Sequence, residues 1–451
     1  MRIIALRAVF TLSALLILAS PKEANAQQTA PRESIQITLS SALELAASNN
    51  FDIRIAQKEL ESMKAQRNQS NALFLPTIVF EETAVSTNDP LNVFGFKLKQ
   101  EVVTAADFNP ADLNDPDAFD NFTTKLSIQQ PLINPDKWLE RTAAGYMVQS
   151  TKEALKHQQF YTEFQVKDAY FKFELTAQQV EINQEAVTTA AAFQQQALHF
   201  YEQDLISKSE YLAAQVHHLQ AESALAEAAH QHEEAADQLA FLLGFEAGTP
   251  FEIEPAISTF AEEYAAPTMA FAENSMLRSI GLQRSAAQKM SASSKATFLP
   301  SLNVFGSLEY NDDTFFGFNA NSYMIGASLR WEIFGGYSKI ATIAQRTAEY
   351  KKADIAYESA SQQFKLQARK AQRTINQAAT QQRFSETGIT QAEEELNVRN
   401  DRFNEGLERT SDVLASQTKL AGAKLQHLQI IYMRNIGIAL LEYLHETDFT
   451  N

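Results

Sequence analysis

The chain has 451 residues, a formal net charge of −17, no cysteine, and only 14 glycines and 12 prolines. Without cysteine there can be no disulfide, no thiolate metal site and no lipid-modified N-terminal cysteine, and the acidic balance disfavours nucleic acid as a partner. Ala, Gln, Glu, Ser and Leu dominate, a composition that suits long helices better than a compact mixed fold.

Residues 1–26 read as a secretory signal. Arg2 and Arg7 mark a charged start, Ala8 to Ala19 is largely apolar, and Ala24-Asn25-Ala26 has a small-x-small cleavage pattern. The apolar stretch is too short for a comfortable membrane span. Removing it takes away Arg2, Arg7, Lys22 and Glu23, leaving a mature chain from Gln27 with net charge −19.

Thr38 to Ser41 offers hydroxyl caps for a short amphipathic helix that breaks at Asn49-Asn50, and a second helix is expected from about Asp52 to Leu73. Phe74-Leu75-Pro76-Thr77-Ile78 then switches helix to strand, because proline stops the helical ladder and pushes the preceding residue toward extended geometry. The same switch recurs as Phe298-Leu299-Pro300-Ser301-Leu302, 224 positions later, and that offset also aligns Asn50 and Arg54 with Asn274 and Arg278. The chain is an internal duplication. The expected division is a signal peptide (1–26), a first repeat (27–243), a connector rich in Gly and Pro (244–267), a second repeat (268–446) and a tail (447–451).

Four strands are expected, two in each repeat. After Ile78 to about Ser86 comes a long loop to Asn121, within which Phe94, Phe96 and Leu98 alternate with Gly95, Lys97 and Lys99 as in a strand extension or hairpin. Phe122, Thr124, Leu126, Ile128 and Leu132 then form one face against Thr123, Lys125, Ser127 and Gln129, with Pro131 and Pro135 ending the strand. In the second repeat, Leu302, Val304, Leu308 and Tyr310 form one apolar row. Tyr323, Ile325, Ala327, Leu329, Trp331 and Ile333 form another. Strands of about ten residues, apolar on one face and polar on the other, carry the signature of a transmembrane β-barrel. A soluble half-buried sheet gives the same alternation.

Between Pro135 and about Glu202 there is one glycine and no further proline, so the stretch could form a rod roughly 100 Å long at ~1.5 Å per residue. Val166, Phe173, Val180, Val187, Gln194 and Tyr201 recur every seven residues, and Ala368, Ile375, Gln382, Ile389, Leu396 and Phe403 repeat the series 202 positions later. A sustained seven-residue repeat implies left-handed coiled coils. Each rod reverses at a matching tip, Gln203 to Lys208 and Glu405 to Thr410, where Asp204 and Gly406 suit the left-handed backbone of a tight turn. Return helices are expected from about Glu210 to Leu243 and Asp412 to Leu444.

In these features the chain resembles the TolC family of outer-membrane channel proteins. The resemblance covers roughly residues 36–446. It rests on the two Leu-Pro switches, Gln130-Pro131-Leu132-Ile133 with Lys137-Trp138, Trp331-Glu332-Ile333-Phe334-Gly335-Gly336, and the tips running into Ser209-Glu210-Tyr211-Leu212 and Ser411-Asp412-Val413-Leu414. It implies an α+β membrane protein acting as a homotrimer, with four strands per chain in one 12-stranded transmembrane barrel and the helices in a periplasmic α-barrel. A single chain's four strands agree, because single-chain membrane barrels begin at about eight and an open edge in lipid leaves backbone groups unpaired.

The expected function is a passive exit duct of a tripartite efflux pump, joined to a periplasmic adaptor and an inner-membrane RND, ABC or MFS transporter. The alternatives are the outer-membrane channel of a type I secretion system and, less well supported, a periplasmic coiled-coil adaptor. No catalytic constellation or cofactor motif is present, so an enzyme is not expected. His217, His218, His230 and His232 share one helix; solvated positions and a metal site are the two readings. The resemblance places an acidic ring that narrows the periplasmic end on Asp412, with Glu210 as its first-repeat equivalent; both also suit helix caps. The family's next acidic ring falls on Ala415, and its closed-state tyrosine and arginine fall on Phe403 and Glu408, so those links cannot form here in the same way. Asp204, Leu205, Gly406 and Leu407 are the expected adaptor-docking tips.

Overall fold

The computed structural model describes residues 34–253 and 274–446. The expected signal peptide, the connector beyond Ile253 and the C-terminal tail lie outside the described residues. In chain order the elements begin with β1 (Ile35–Gln36), α1 (Leu39–Asn49) and α2 (Phe51–Gln69), the last running through a 3₁₀ turn to Leu73. Thr38 caps α1 in a reciprocal box with Ser41, and the Asn50 side chain caps α2 by accepting from Asp52 and Ile53 N–H. The second repeat copies this: Asn274 caps α7 (Ser275–Ala296) through Met276 and Leu277 N–H. Asn50 also donates to the Leu242 carbonyl, and Asn274 to that of Leu444.

The strands are β2 (Thr77–Thr87), β3 (Phe119–Ile133), β5 (Ser301–Asp312) and β6 (Ala320–Arg330), antiparallel in the order β2-β3-β5-β6. The two hairpins thus join across the repeats through β3 and β5. The apolar rows form a continuous band: Phe80, Leu126, Leu308 and Tyr323 line up, as do Ile78, Ile128, Gly306 and Ile325. The opposite face carries Glu81, Lys125, Glu309 and Ser322 in one cross-strand row. β2 and β6 are the open edges.

Three expectations need correction here. The 87–121 segment is not an open loop with a strand extension: it contains α3 (Pro90–Lys99), a 3₁₀ turn at Ala105–Phe108 and α4 (Pro110–Asn114). Asp89 caps α3 and Pro90 occupies its first turn, so local capping overrides the Phe-Gly-Phe-Lys-Leu alternation. β3 ends at Ile133, between Pro131 and Pro135, but past a register shift that leaves Leu132 unpaired and gives Leu132's expected place in the apolar row to Ile133. β6 stops at Arg330, so Trp331 and Ile333 leave the strand, and the Trp331 indole donates to the Phe298 carbonyl.

Two rods dominate the rest. α5 (Pro135–Glu202, 68 residues) returns as α6 (Lys208–Leu243), and α8 (Ser338–Asn404, 67 residues) returns as α9 (Thr410–His445). The heptad series faces inward: Val166, Phe173, Ala368, Ile375, Leu396 and Phe403 are buried, and the remaining members are half-buried. Toward the tips the helices lie side by side as α6-α5-α9-α8, and toward the sheet as α2-α5-α7-α8. Between these layers β4 (Phe251–Glu252) pairs in parallel with β1, and the core around Val166, Phe171, Leu239 and Leu243 closes over them. No described helix is long and apolar enough to cross a membrane.

Candidate functional site

The two tips are structural copies. α5 ends with Asp204 in the left-handed region (φ +58°), and α8 ends with Gly406 there (φ +71°), as the turn chemistry requires. In each, the next leucine's N–H bonds back into the helix, Leu205 to Phe200 and Leu407 to Arg402. Both leucine side chains are left bare, at 64% and 62% exposure.

The copies differ in their acids. Ser207 caps α6, and Glu210 completes the box: its carboxylate accepts from Ser207 N–H at 2.9 Å while the Ser207 hydroxyl takes the Glu210 N–H. In α9 the capping position is Arg409, which makes no side-chain cap. Asp412 is therefore not committed to a capping box. It lies beside Glu408, and its charge helps raise Arg399, whose pKa is lifted first by Glu395 and then by Glu408.

Glu408 and Phe403 anchor the α8/α9 tip in different ways. Glu408 accepts from Arg402 at 2.8 Å and Arg399 at 2.9 Å, and the Arg402 hydrogen bond foremost holds its carboxyl below the ordinary value. Glu395 extends this network to Lys419 at 2.6 Å. These groups sit at the surface, where ion pairs contribute little stability. Phe403, only 2% exposed, inserts between Phe193 and Phe200 of α5 with ring centroids 5.0 and 5.3 Å apart. Leu396, Ala197, Ala214 and Val413 complete the cluster, which is the chief apolar contact between the two hairpins near their tips.

Polar contacts run alongside. Gln196 of α5 donates to Asn404, and Lys424 of α9 reaches Glu185 of α5 at 2.9 Å. Farther from the tip the hairpins part around a cavity of about 310 Å³ lined by His217, Gln417, Ala421, Gly422 and Lys424. Burial pushes the His217 pKa down, opposed in part by the neighbouring Gln417 side chain.

Among the described residues no cluster of His, Cys, Asp or Glu could hold a metal ion. The four α6 histidines do not converge. His218 pairs with Gln194, and His232 stacks on Phe173 at 4.6 Å. Neither is simply a solvated position, since both sit half-buried at helix seams. The reading of single residues missed Phe193, Phe200, Arg399 and Lys424. A second heptad row through Phe193 and Phe200, seven apart, was the available signal for the aromatic pair.

Long paired hairpins joined to a sheet of amphipathic strands with two open edges define the subunit of an outer-membrane channel. The sequence matches the model of the outer membrane efflux protein family over residues 42–245 and 266–438, and the chain belongs to that family. It is accordingly an outer-membrane efflux channel protein that extends into the periplasm. No curated protein sequence matches it. Among solved structures it is similar to a membrane protein from Pseudomonas aeruginosa, with TM-score 0.79, 15% identity, and coverage of 90% of this chain and 92% of that one. It is similar to the CmeC outer membrane channel of Campylobacter jejuni, with TM-score 0.77, 14% identity, and coverage of 90% and 85%. It is also similar to the outer membrane protein VceC of Vibrio cholerae, with TM-score 0.77, 16% identity, and coverage of 90% and 96%. These likenesses concern the fold, and the family's members are channels rather than enzymes.

Proposed function

We propose that three copies of this chain close into one duct and passively conduct substrates out of the cell, loaded by a periplasmic adaptor and an energised inner-membrane transporter. The carrying observation is the pair of open sheet edges, β2 and β6, on strands whose apolar band is bare in the single chain. Edges in lipid must be paired, and four strands cannot close on themselves. The helical layer is open in the matching sense. α8 leaves Ile355, Leu366 and Phe384 exposed on one flank, and α6 leaves Leu212, Val216 and Leu219 exposed on the other. Pairing β6 with the next β2, and α8 with the next α6 toward the tips and the next α2 toward the sheet, covers all of them by one rotation.

The bare Leu205 and Leu407 suit docking to the adaptor's hairpin, and Asp412 suits an acidic ring near the axis. The Glu210 geometry favours its capping role over the ring. Detergent-extracted protein should scatter light as a trimer. In a strain lacking the gene, Leu407→Asp should leave trimer level and membrane insertion intact but abolish restored efflux. Efflux persisting in that variant, in Leu205→Asp and in the double variant would disprove the docking assignment, and a detergent-free monomer would disprove the duct.

A further inference from the structure

The first repeat's outer loop is 23 residues longer than the second's, and nothing in the duct reading uses the extra length. The two loops leave the sheet on opposite sides. The short loop after β5 lies over the apolar band, with Phe315 against Phe122 and Phe316 against Phe80. The long loop folds onto the polar face. Lys99 donates to Glu309 at 2.8 Å, and the Gln100 amide, 6% exposed, lies 2.9 Å from Asn121 Oδ1 and 3.0 Å from the Asp312 carbonyl. Lys97 lies over the Phe119 ring. Phe119, Asn121 and Glu309 lie on the face opposite the apolar rows, which the duct reading turns to lipid.

α3 has two distinct faces. Lys97 and Gln100 meet the wall, with Lys97 also paired to Asp107 of the same loop at 2.7 Å; Val93, on the same side at helical spacing, and Gln100 are buried. Leu91 and Leu98, seven apart on the opposite side, are exposed at 82% and 52%. We infer that α3 lies inside the outward mouth of the duct, and that the Leu91/Leu98 stripes of three copies meet there as a plug separate from the periplasmic tips. This rests on the trimeric duct reading.

Size selects the occupant of the bare stripe. Twelve strands about 4.8 Å apart and tilted about 40° close a wall about 24 Å across between backbones, and the inward side chains narrow the bore further. Three helices about 10 Å thick need about 22 Å side by side, so three α3 helices at the mouth crowd against one another and against the wall. No space remains for another partner, and an apolar stripe left facing a water-filled bore would be unfavourable. A substrate leaving the duct must therefore displace α3 against the Lys99–Glu309 and Gln100–Asn121 tethers.

A chain without cysteine reports this arrangement directly. Leu91→Cys and Leu98→Cys, oxidised as detergent-extracted trimers, should give dimers on a non-reducing gel that reductant reverses. Ser86→Cys, on the outward face, should not. In planar bilayers, replacing residues 90–114 by a short link should raise single-channel conductance severalfold, and oxidising Leu98→Cys should lower it reversibly. Failure of both stripe variants to cross-link in a protein that scatters light as a trimer overturns the plug, as does unchanged conductance in the shortened variant. A monomer in detergent would overturn the duct reading instead.

Discussion

Replacing Phe403 by alanine should loosen the periplasmic end of the channel without unfolding the subunit. The ring is nearly fully buried, and truncating such a phenylalanine costs about 3–5 kcal/mol in total. Part of that comes from Leu396 and Val413 within its own hairpin, contacts that survive if the hairpins separate. The part lost on opening is its contact with α5, where two ring pairs at 5.0 and 5.3 Å contribute about 0.5–1.5 kcal/mol each. The resulting ~1–3 kcal/mol shifts the balance between joined and parted tips by about 5–150-fold per subunit. Single-channel recording should show Phe403→Ala open more often, with Phe403→Leu intermediate because it keeps burial but loses the ring pairs. Phe193→Ala should act in the same direction. If Phe403→Ala lowers the trimer's thermal stability but leaves open-state occupancy unchanged, the cluster is static packing and the reasoning fails.

Three further outcomes test other parts of the structure. Ile325→Arg, in the apolar band at the middle of β6, should deplete assembled trimer far more than Met324→Arg on the opposite face, by about 2–4 kcal/mol for a mid-membrane position, with Leu329→Arg near the strand end costing less; equal losses for Ile325→Arg and Met324→Arg on a quantitative immunoblot would mean the faces are misassigned. Asp412→Ala should weaken cation preference and divalent-ion block in planar bilayers, since three like charges about 4 Å apart repel by roughly 4 kcal/mol per pair at an effective dielectric of about 20. Glu210→Ala should mainly lower stability, and a block unaffected by Asp412→Ala would remove the ring. Acidification should act on His217 before Glu408. Burial lowers the His217 pKa, so its stability contribution is complete above the ordinary 6.5 and is lost as pH falls below it; the Glu408 contribution persists above 4.5 and is lost as pH falls through its lowered value. His217 faces Gln417, Lys424 and Glu185 across the cavity. Trimer melting between pH 7 and pH 5.5 should thus fall less in His217→Gln, with His157 and His232, lowered by burial too, carrying the remainder.

Much of this molecule is written in local sequence. Proline at residues 76 and 300 ends helices where the hydrogen-bond ladder cannot continue, and alternation sets the two faces of each strand. The seven-residue repeats predict which sides of α5 and α8 turn inward, and Asp204 and Gly406 mark turns that need a left-handed residue. Each of these is fixed by backbone chemistry or by periodicity over a few turns, so it is legible without knowing the partner. Only the tertiary structure decides what each face meets. β3 pairs with β5 across the two repeats, so Lys125 meets Glu309 although 184 positions separate them. Phe403 finds Phe193 and Phe200 only because the two hairpins pack side by side. The acids Glu210 and Asp412 occupy equivalent positions, but one is drawn into a capping box by Ser207 and the other, beside Arg409, is not. The segment around Phe94, Phe96 and Leu98 shows the limit most clearly: its alternation suits a strand, yet a helix capped by Asp89 forms there, and only the folded chain sets Lys97 and Gln100 against β3 and β5, the latter reached at Asp312, 212 positions from Gln100.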